Sequence, residues 1–422
     1  MKSATLIVSL SFFFFGASVS AQGPGFSGSY FLSLQPSIRA NGMAGASAAA
    51  AENDALALAS NPGHLGVMMA ERYFSAAFYP AKTNWLPQLA PDLTYDAKTF
   101  LFGFNLKRLS RKIPITLGVG YTKVFINLGE QIITGELDPT PLGVFQSWER
   151  ANLWSAGAGI DCLIKAGIGW NFKNLESNLA PQVANTAQAG DGRTQANSRD
   201  FGFAASAPLV EIAAQVTKKS FKIKPGLQPF FDAGFGYAQS NIGHAVASID
   251  GAQAEPLSKV SRSGISFKAG LLLSLSRLRW RIFSVERVNE AEQTSAGKFR
   301  FGGIRYTPRR GDINIWKHVI LGKGSPALIA KKGWEFDFFE LLSIRAGRYF
   351  DPSGRVSYKT SGFGVRLAGV LKYQRYFNPQ GNSVLNFISR HFEGEYEFSR
   401  INAGEGHPLE GTKYRGIRLS IF

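Results

Sequence analysis

Five histidines, His64, His244, His318, His391 and His407, are scattered through the chain. No His-x-x-x-His or Cys-x-x-Cys spacing occurs, so no metal site and no cofactor are expected. The single cysteine, Cys162, excludes a disulfide scaffold. No Gly-x-Ser-x-Gly elbow is present, and the Gly-x-Gly pairs fall inside alternating segments instead of opening a helix. Nucleophilic hydrolysis and nucleotide binding are therefore rejected, and no enzyme is expected. His64, close to Ser60, reads as a structural residue and not as half of a catalytic pair.

The residues with chemistry to offer are charges carried on strands. Residues 334–339 and 341–350 read as a hairpin with a very short turn, which sets Glu335 against Arg345. The acidic ladder Glu393, Glu395 and Glu397 needs basic neighbours, and Arg366 and Arg418 are the candidates. An isolated buried carboxylate is costly, so these pairs are expected on one inward face. The plain reading makes them structural lumen pairs; the sharper one gives them a part in substrate passage.

Those charges need strands with two unlike faces. In 115–122 one face carries Ile115, Leu117, Val119 and Tyr121, the other Thr116, Gly118, Gly120 and Thr122. The same split runs through 164–172, 231–237, 265–271, 363–367 and 392–398. Period two alone fits a soluble sandwich as well as a membrane barrel. Glycine weakens a water-facing strand but makes room in a crowded lumen. Tyr79, Trp154, Trp170, Tyr237 and Trp334 are placed as girdle residues would be.

Composition agrees. The chain has 422 residues with 46 glycines, 13% aromatics and only 18% charged side chains, against roughly 25% in a soluble domain. Mean hydropathy is close to zero, which excludes a bundle of membrane helices and a polar disordered chain. The expected fold is all-β: a transmembrane antiparallel β-barrel of about 14 strands, up to 16, in residues 72–422. Long outer connectors are expected near 80–97, 126–149, 173–199, 240–261, 288–298 and 351–359. Short turns are expected near 108–112, 161–163, 218–226 and 276–278. Late strands are expected near 313–321, 361–373, 391–399 and 413–422.

Residues 1–21 read as a cleaved signal peptide: Lys2, an apolar core with Phe12 to Phe15, then Val19-Ser20-Ala21. Residues 22–71 are small and polar and do not alternate, so they fit a plug inside the barrel.

At this point a resemblance enters. Arg39, Gly42 and Gly45, an alanine-rich stretch, Asn53-Asp54 and Asn61-Pro62 resemble the N-terminal hatch of the FadL/PorV group of outer-membrane proteins. Residues 342–349 and 362–365 resemble that group's late strands, and 407–412 its run into the terminal strand. Gly63 departs from the group, which carries alanine after Asn-Pro. The resemblance implies 14 strands closed by the hatch, in the outer membrane of a Gram-negative-type cell. It also implies one of two functions. The first is a PorV-like component of type IX secretion that binds secreted cargo or the translocon, which the hatch sequence favours. The alternative is a FadL-like passive transporter of hydrophobic small molecules. A long apolar lumen pocket would favour the transporter; a filled lumen with a protruding apolar loop would favour the secretion component.

Phe422 resembles the terminal aromatic read by the barrel-assembly machinery, with Gly416 and Leu419 before it. Ile417, Leu419 and Ile421 are expected to face lipid, while Tyr414, Gly416, Arg418 and Ser420 share the face of Phe422. The formal charge of +17 does not imply nucleic acid, which an exported barrel does not meet. Basic clusters at Arg108/Arg111/Lys112, Lys218/Lys219/Lys222/Lys224 and Arg309/Arg310 fall in expected periplasmic turns, where phospholipid headgroups or a periplasmic partner are within reach.

Overall fold

The computed structural model describes residues 29–50, 54–134, 140–179, 193–219, 221–243, 257–275, 278–295, 298–300, 303–305, 312–377 and 383–422. The expected signal peptide, Asn53, His244 and Arg309/Arg310 lie outside them.

Fourteen antiparallel strands close on themselves. They are β1 (Phe74–Phe78), β2 (Thr94–Asn105), β3 (Ile115–Thr134), β4 (Pro141–Asp161) and β5 (Lys165–Asn178). Next come β6 (Arg193–Pro208), β7 (Leu227–Gly243), β8 (Lys259–Leu275) and β9 (Leu278–Ser295). The last five are β10 (Ile329–Phe338), β11 (Leu342–Asp351), β12 (Val356–Arg366), β13 (Phe392–Asn402) and β14 (Lys413–Ile421). Each strand pairs with the next, and β1 closes the ring by pairing with both β2 and β14, Phe74 opposing Phe102 and Ile421. A two-residue strand, Thr83–Asn84, adds to the start of β2.

The direction of the pleat identifies the environment. On β3, Leu117 and Val119 are 49% and 58% exposed, while Thr116 and Thr122 on the opposite face are fully buried. Leu419 and Trp154 are likewise exposed outward, and Arg418 and Ser155 buried inward. A soluble sandwich buries its large apolar face; here that face points away from the protein. Such an inverted strand pattern is stable only where lipid surrounds the ring. Among the described residues no helix is long and apolar enough to cross a membrane.

Trp154, Trp170 and Trp334 face outward, and Tyr237 shares the outward side of Phe231 and Phe235. Tyr79 does not belong with them. It is buried in the lumen, where its hydroxyl donates to the Pro36 carbonyl at 2.6 Å. A phenol reaching a hatch carbonyl satisfies a group that the plug would otherwise leave unpaired.

Short turns at 162–164 and 339–341 mark the periplasmic end. Several connectors differ from expectation. β3 and β4 stay paired out to Thr134 and Pro141, so most of the expected outer loop 126–149 is strand. The expected periplasmic turn 218–226 begins earlier, with helix α3 (Leu209–Thr217). The strand expected over 361–373 stops at Arg366 and continues as α4 (Leu367–Phe377), followed by α5 (Ser383–His391). Leu367, Val370, Tyr373 and Phe377 recur at helical spacing and share the exposed face, which period two cannot supply. The strand expected over 313–321 is a π-helical turn, Ile315–Ile320, because Asn314 caps it by accepting the Lys317 N–H at 2.9 Å. That turn lies on the outside of β8 and β9, its Val319 buried against Ile265 and Ala291.

Candidate functional site: the hatch and its ionic anchors

The described chain ahead of β1 fills the barrel. Helices α1 (Ile38–Gly42) and α2 (His64–Met68) lie inside, joined by buried turns. Ser37 caps α1 by accepting the Ala40 N–H at 2.9 Å, and its own hydroxyl donates to Asp54. Asn61 receives the Gly63 N–H at 3.0 Å and donates to the carbonyls of Ala48 and Phe203 at 2.7 and 3.0 Å. The Asn-Pro corner is thereby tied to its own chain and to β6. Gly45 turns the chain after α1 with φ +80°.

Arg39 is fully buried and anchors α1 to the wall. Its Nε and Nη2 reach the two oxygens of Glu335 at 2.9 Å each, and Nη2 also reaches Glu286 on β9 at 2.9 Å. Nη1 donates to the Ala50 carbonyl at 2.8 Å. Glu335 stands opposite Arg345 in the β10–β11 register, with Arg345 Nε 2.6 Å away. Arg345 continues to Glu395 at 3.0 Å and Glu397 at 3.1 Å. Glu395 opposes both Arg366 and Arg418 and bonds each of them. Arg366 also reaches Asp337 at 3.3 Å, and Lys268 spans Glu286 and Asp337 at 3.7 and 3.6 Å. Glu393 stands apart, 3.9 Å from Arg72. Charge balance inside the barrel is thus local, cation beside anion along strands β8 to β14. Removing one member leaves another buried and uncompensated.

Sequence reasoning missed Glu286 and Asp337, which stand on the lumen faces of β9 and β10. The alternation of Ser284, Glu286, Val288, Glu290 and Glu292 along β9 was the available signal. It also missed a second anchor. Glu290 accepts the backbone N–H groups of Ser47 and Ala48 at 2.8 and 2.7 Å, and is held by Lys331 at 3.3 Å. On the other side Asn171 joins Asp200 at 2.9 Å and the Leu58 carbonyl at 3.0 Å.

Glycine lets the plug seat this closely. A Cβ on Gly236 would lie 1.6 Å from the Ala48 carbonyl oxygen. At Gly63 a Cβ would meet the Phe203 backbone at 2.7 Å. Pro62 packs in the same way against Gly169 and Gly202, and Gly42 against Arg345. His64 Nε2 lies 3.0 Å from the Ser47 carbonyl and donates to it. Burial lowers its pKa to about 4, so the imidazole is neutral at pH 7.

Gly416 in β14 accommodates Ile38 of the hatch, Leu419 faces outward, and Phe422 lies under the Arg72 guanidinium at 4.8 Å. The Phe422 N–H donates to the His391 carbonyl at 3.0 Å, fixing the chain end to α5.

The space beside the plug is unequal on its two sides. On the outer side the lumen wall has an apolar sector, with Tyr95, Leu101, Val124, Ile126, Ala151, Leu153 and Leu175 buried, beside a charged one that includes Lys173, Asp200, Arg262 and Glu292. Phe31, Leu32 and Leu34 pack into it and leave a cavity of about 20 Å³. On the periplasmic side a cavity of about 550 Å³ lies between the hatch and β6 to β9, and its lining is charged, including Lys268 and Glu286.

This is a plugged, membrane-spanning β-barrel. The sequence matches no protein-family profile and no curated protein. In structure the chain is similar to a TodX monoaromatic hydrocarbon channel lacking S2 and S3, at 12% identity and TM-score 0.41, covering 90% of this chain and 97% of that one. It is also similar to a Pseudomonas aeruginosa FadL homologue at 10% identity and TM-score 0.36, covering 92% and 98%. CdiB from Acinetobacter baumannii follows at 9% identity and TM-score 0.34, covering 83% and 60%. These are likenesses; the fold assignment rests on the strand pairing.

Proposed function

We propose that the protein is a passive outer-membrane transporter for hydrophobic small molecules. The observation that carries this reading is the apolar sector of the lumen wall on the outer side of the hatch, buried under Phe31, Leu32 and Leu34. A lumen serving only ions or sugars has no use for a broad apolar sector; here one covers β2 to β5, and the charges beside it, Lys173 with Asp200 and Arg262 with Glu292, are paired. The residues that fill it belong to the chain's own front segment, so a hydrophobic ligand competes with them for the same wall. Passage onward requires the hatch to shift relative to Glu335 and Glu290.

A second reading has an observation of its own. The outer half of the lumen is filled, and the π-helical turn exposes Ile315, Trp316 and Leu321. A PorV-like secretion component would use such a surface for cargo or translocon. Deleting the gene, with hydrophobic-compound uptake and secreted proteins assayed in parallel, separates the two. Reduced uptake with intact secretion is the expected result. Lost secretion with intact uptake would replace it with the second reading, and loss of neither would remove both.

A further inference from the structure

The outward face carries one row unlike the apolar belt beside it. β10, β11 and β12 place Lys332, Arg348 and Lys359 directly opposite one another. Asn289 of β9 continues the row beyond Lys332, and Asn402 of β13 continues it beyond Lys359. Across five strands it reads amide, three cations, amide. Arg348 and Lys359 are exposed and Lys332 is half-buried. The row shares the outward pleat with Trp334, Ile344 and Phe363, all exposed.

Like charges directly opposite in a sheet are destabilising, and here three stand within roughly 10 Å, from a cross-strand Cβ spacing of about 5 Å. The lumen face avoids this by setting a carboxylate beside each cation of its network. Among the described residues no carboxylate lies within ion-pair distance of Lys332, Arg348 or Lys359. The row therefore lacks an anion, and its position says which kind. It faces away from the lumen, at the end of the strands opposite the short turn 339–341. On the periplasmic side of it lie Trp334, stacked on Phe336, and Arg287, 4.7 Å over the Trp334 ring. Cations and aromatic rings in this order mark a headgroup layer above acyl chains.

We propose that Lys332, Arg348 and Lys359 bind the phosphate groups of a phosphorylated glycolipid of the outer leaflet, its acyl chains lying along Trp334, Phe336, Ile344 and Phe363. A free phosphate would gain the charges but has no use for the belt. The site rests on the membrane-barrel fold and is independent of the transport reading.

The test compares the full-length protein with the triple variant Lys332→Gln, Arg348→Gln, Lys359→Gln and the single variant Lys359→Gln. Both variants are checked for barrel folding by heat-modifiable migration. Each protein is reconstituted in phosphatidylcholine vesicles with lipid A, with phosphatidylglycerol, or with inorganic phosphate in the buffer. Lipid A is expected to raise the unfolding temperature of the wild type, less that of the single variant, and not that of the triple variant. Phosphatidylglycerol and inorganic phosphate are expected to give much smaller shifts, and uptake of hydrophobic compounds to stay unchanged. An equal lipid A shift in the wild type and both variants would overturn the proposal. So would an equal shift from inorganic phosphate.

Discussion

Arg39 of the hatch grips Glu335 of the wall through two hydrogen bonds of 2.9 Å each, and both side chains are almost wholly buried. A plug held by packing alone would slide. This one is fixed at a point where four strands, β9, β10, β11 and β13, converge on one chain of charges.

Arg39→Ala should loosen the hatch without unfolding the barrel. Glu335 keeps Arg345, but Glu286 loses its closest partner, and α1 loses about 3–5 kcal/mol of anchoring, the usual cost of breaking a buried pair. Planar-bilayer recording is expected to show larger or more frequent conductance steps than the wild type. Heat-modifiable migration should stay normal.

Glu395→Gln acts on the wall itself. Three guanidiniums, from Arg345, Arg366 and Arg418, converge on this carboxylate. Neutralising it leaves like charges facing one another in a buried site, so the barrel should lose about 3–5 kcal/mol. The unfolding temperature in detergent is the readout, and it should fall by more than in Arg39→Ala.

Protonating His64 should release α2. The imidazole is neutral because burial lowers its pKa to about 4, against about 6.5 in an unfolded chain. A group that binds protons less readily when folded loses stability for the fold as pH drops through that window. Asp54 opposes this shift and Arg39 reinforces it. Hydrogen-exchange protection over residues 61–69, taken relative to the intrinsic exchange rate at each pH, should be high at pH 7.5 and lower at pH 5. In His64→Gln the pH dependence should disappear.

Gly236→Ala places a methyl group on the Ala48 carbonyl and must push the hatch away from β7. Gly394→Ala, on the outward face, meets only the Leu419 side chain at 3.7 Å. Protease cleavage within residues 40–60 should rise in the first variant and stay at the wild-type level in the second.

Much of this arrangement is visible in the sequence because period two and short turns are local signals. The turn at 339–341 sets Glu335 opposite Arg345, and alternation alone puts Glu395 beside Arg366 and Arg418. The hatch anchors are not local. Glu286 and Glu290 lie more than 200 residues from Arg39 and Ser47, and only barrel closure brings them together. Tyr79 was misplaced because an aromatic at a strand end fits a girdle and a lumen equally well until the pleat is known. α4 escaped because Leu367 continues the alternation of Phe363 and Val365 before the period changes.

The account turns on whether the hatch must move for hydrophobic molecules to pass. A Cβ on Gly264 would sit 3.3 Å from Ala48 Cβ, close to the separation a disulfide bridges. Ala48→Cys with Gly264→Cys, in a Cys162→Ser background, therefore locks the plug to β8 under oxidising conditions. The direct measurement is uptake of a hydrophobic compound into vesicles holding this variant, before and after reduction. Uptake blocked when oxidised and restored by reductant is the predicted result; equal uptake in both states would contradict it.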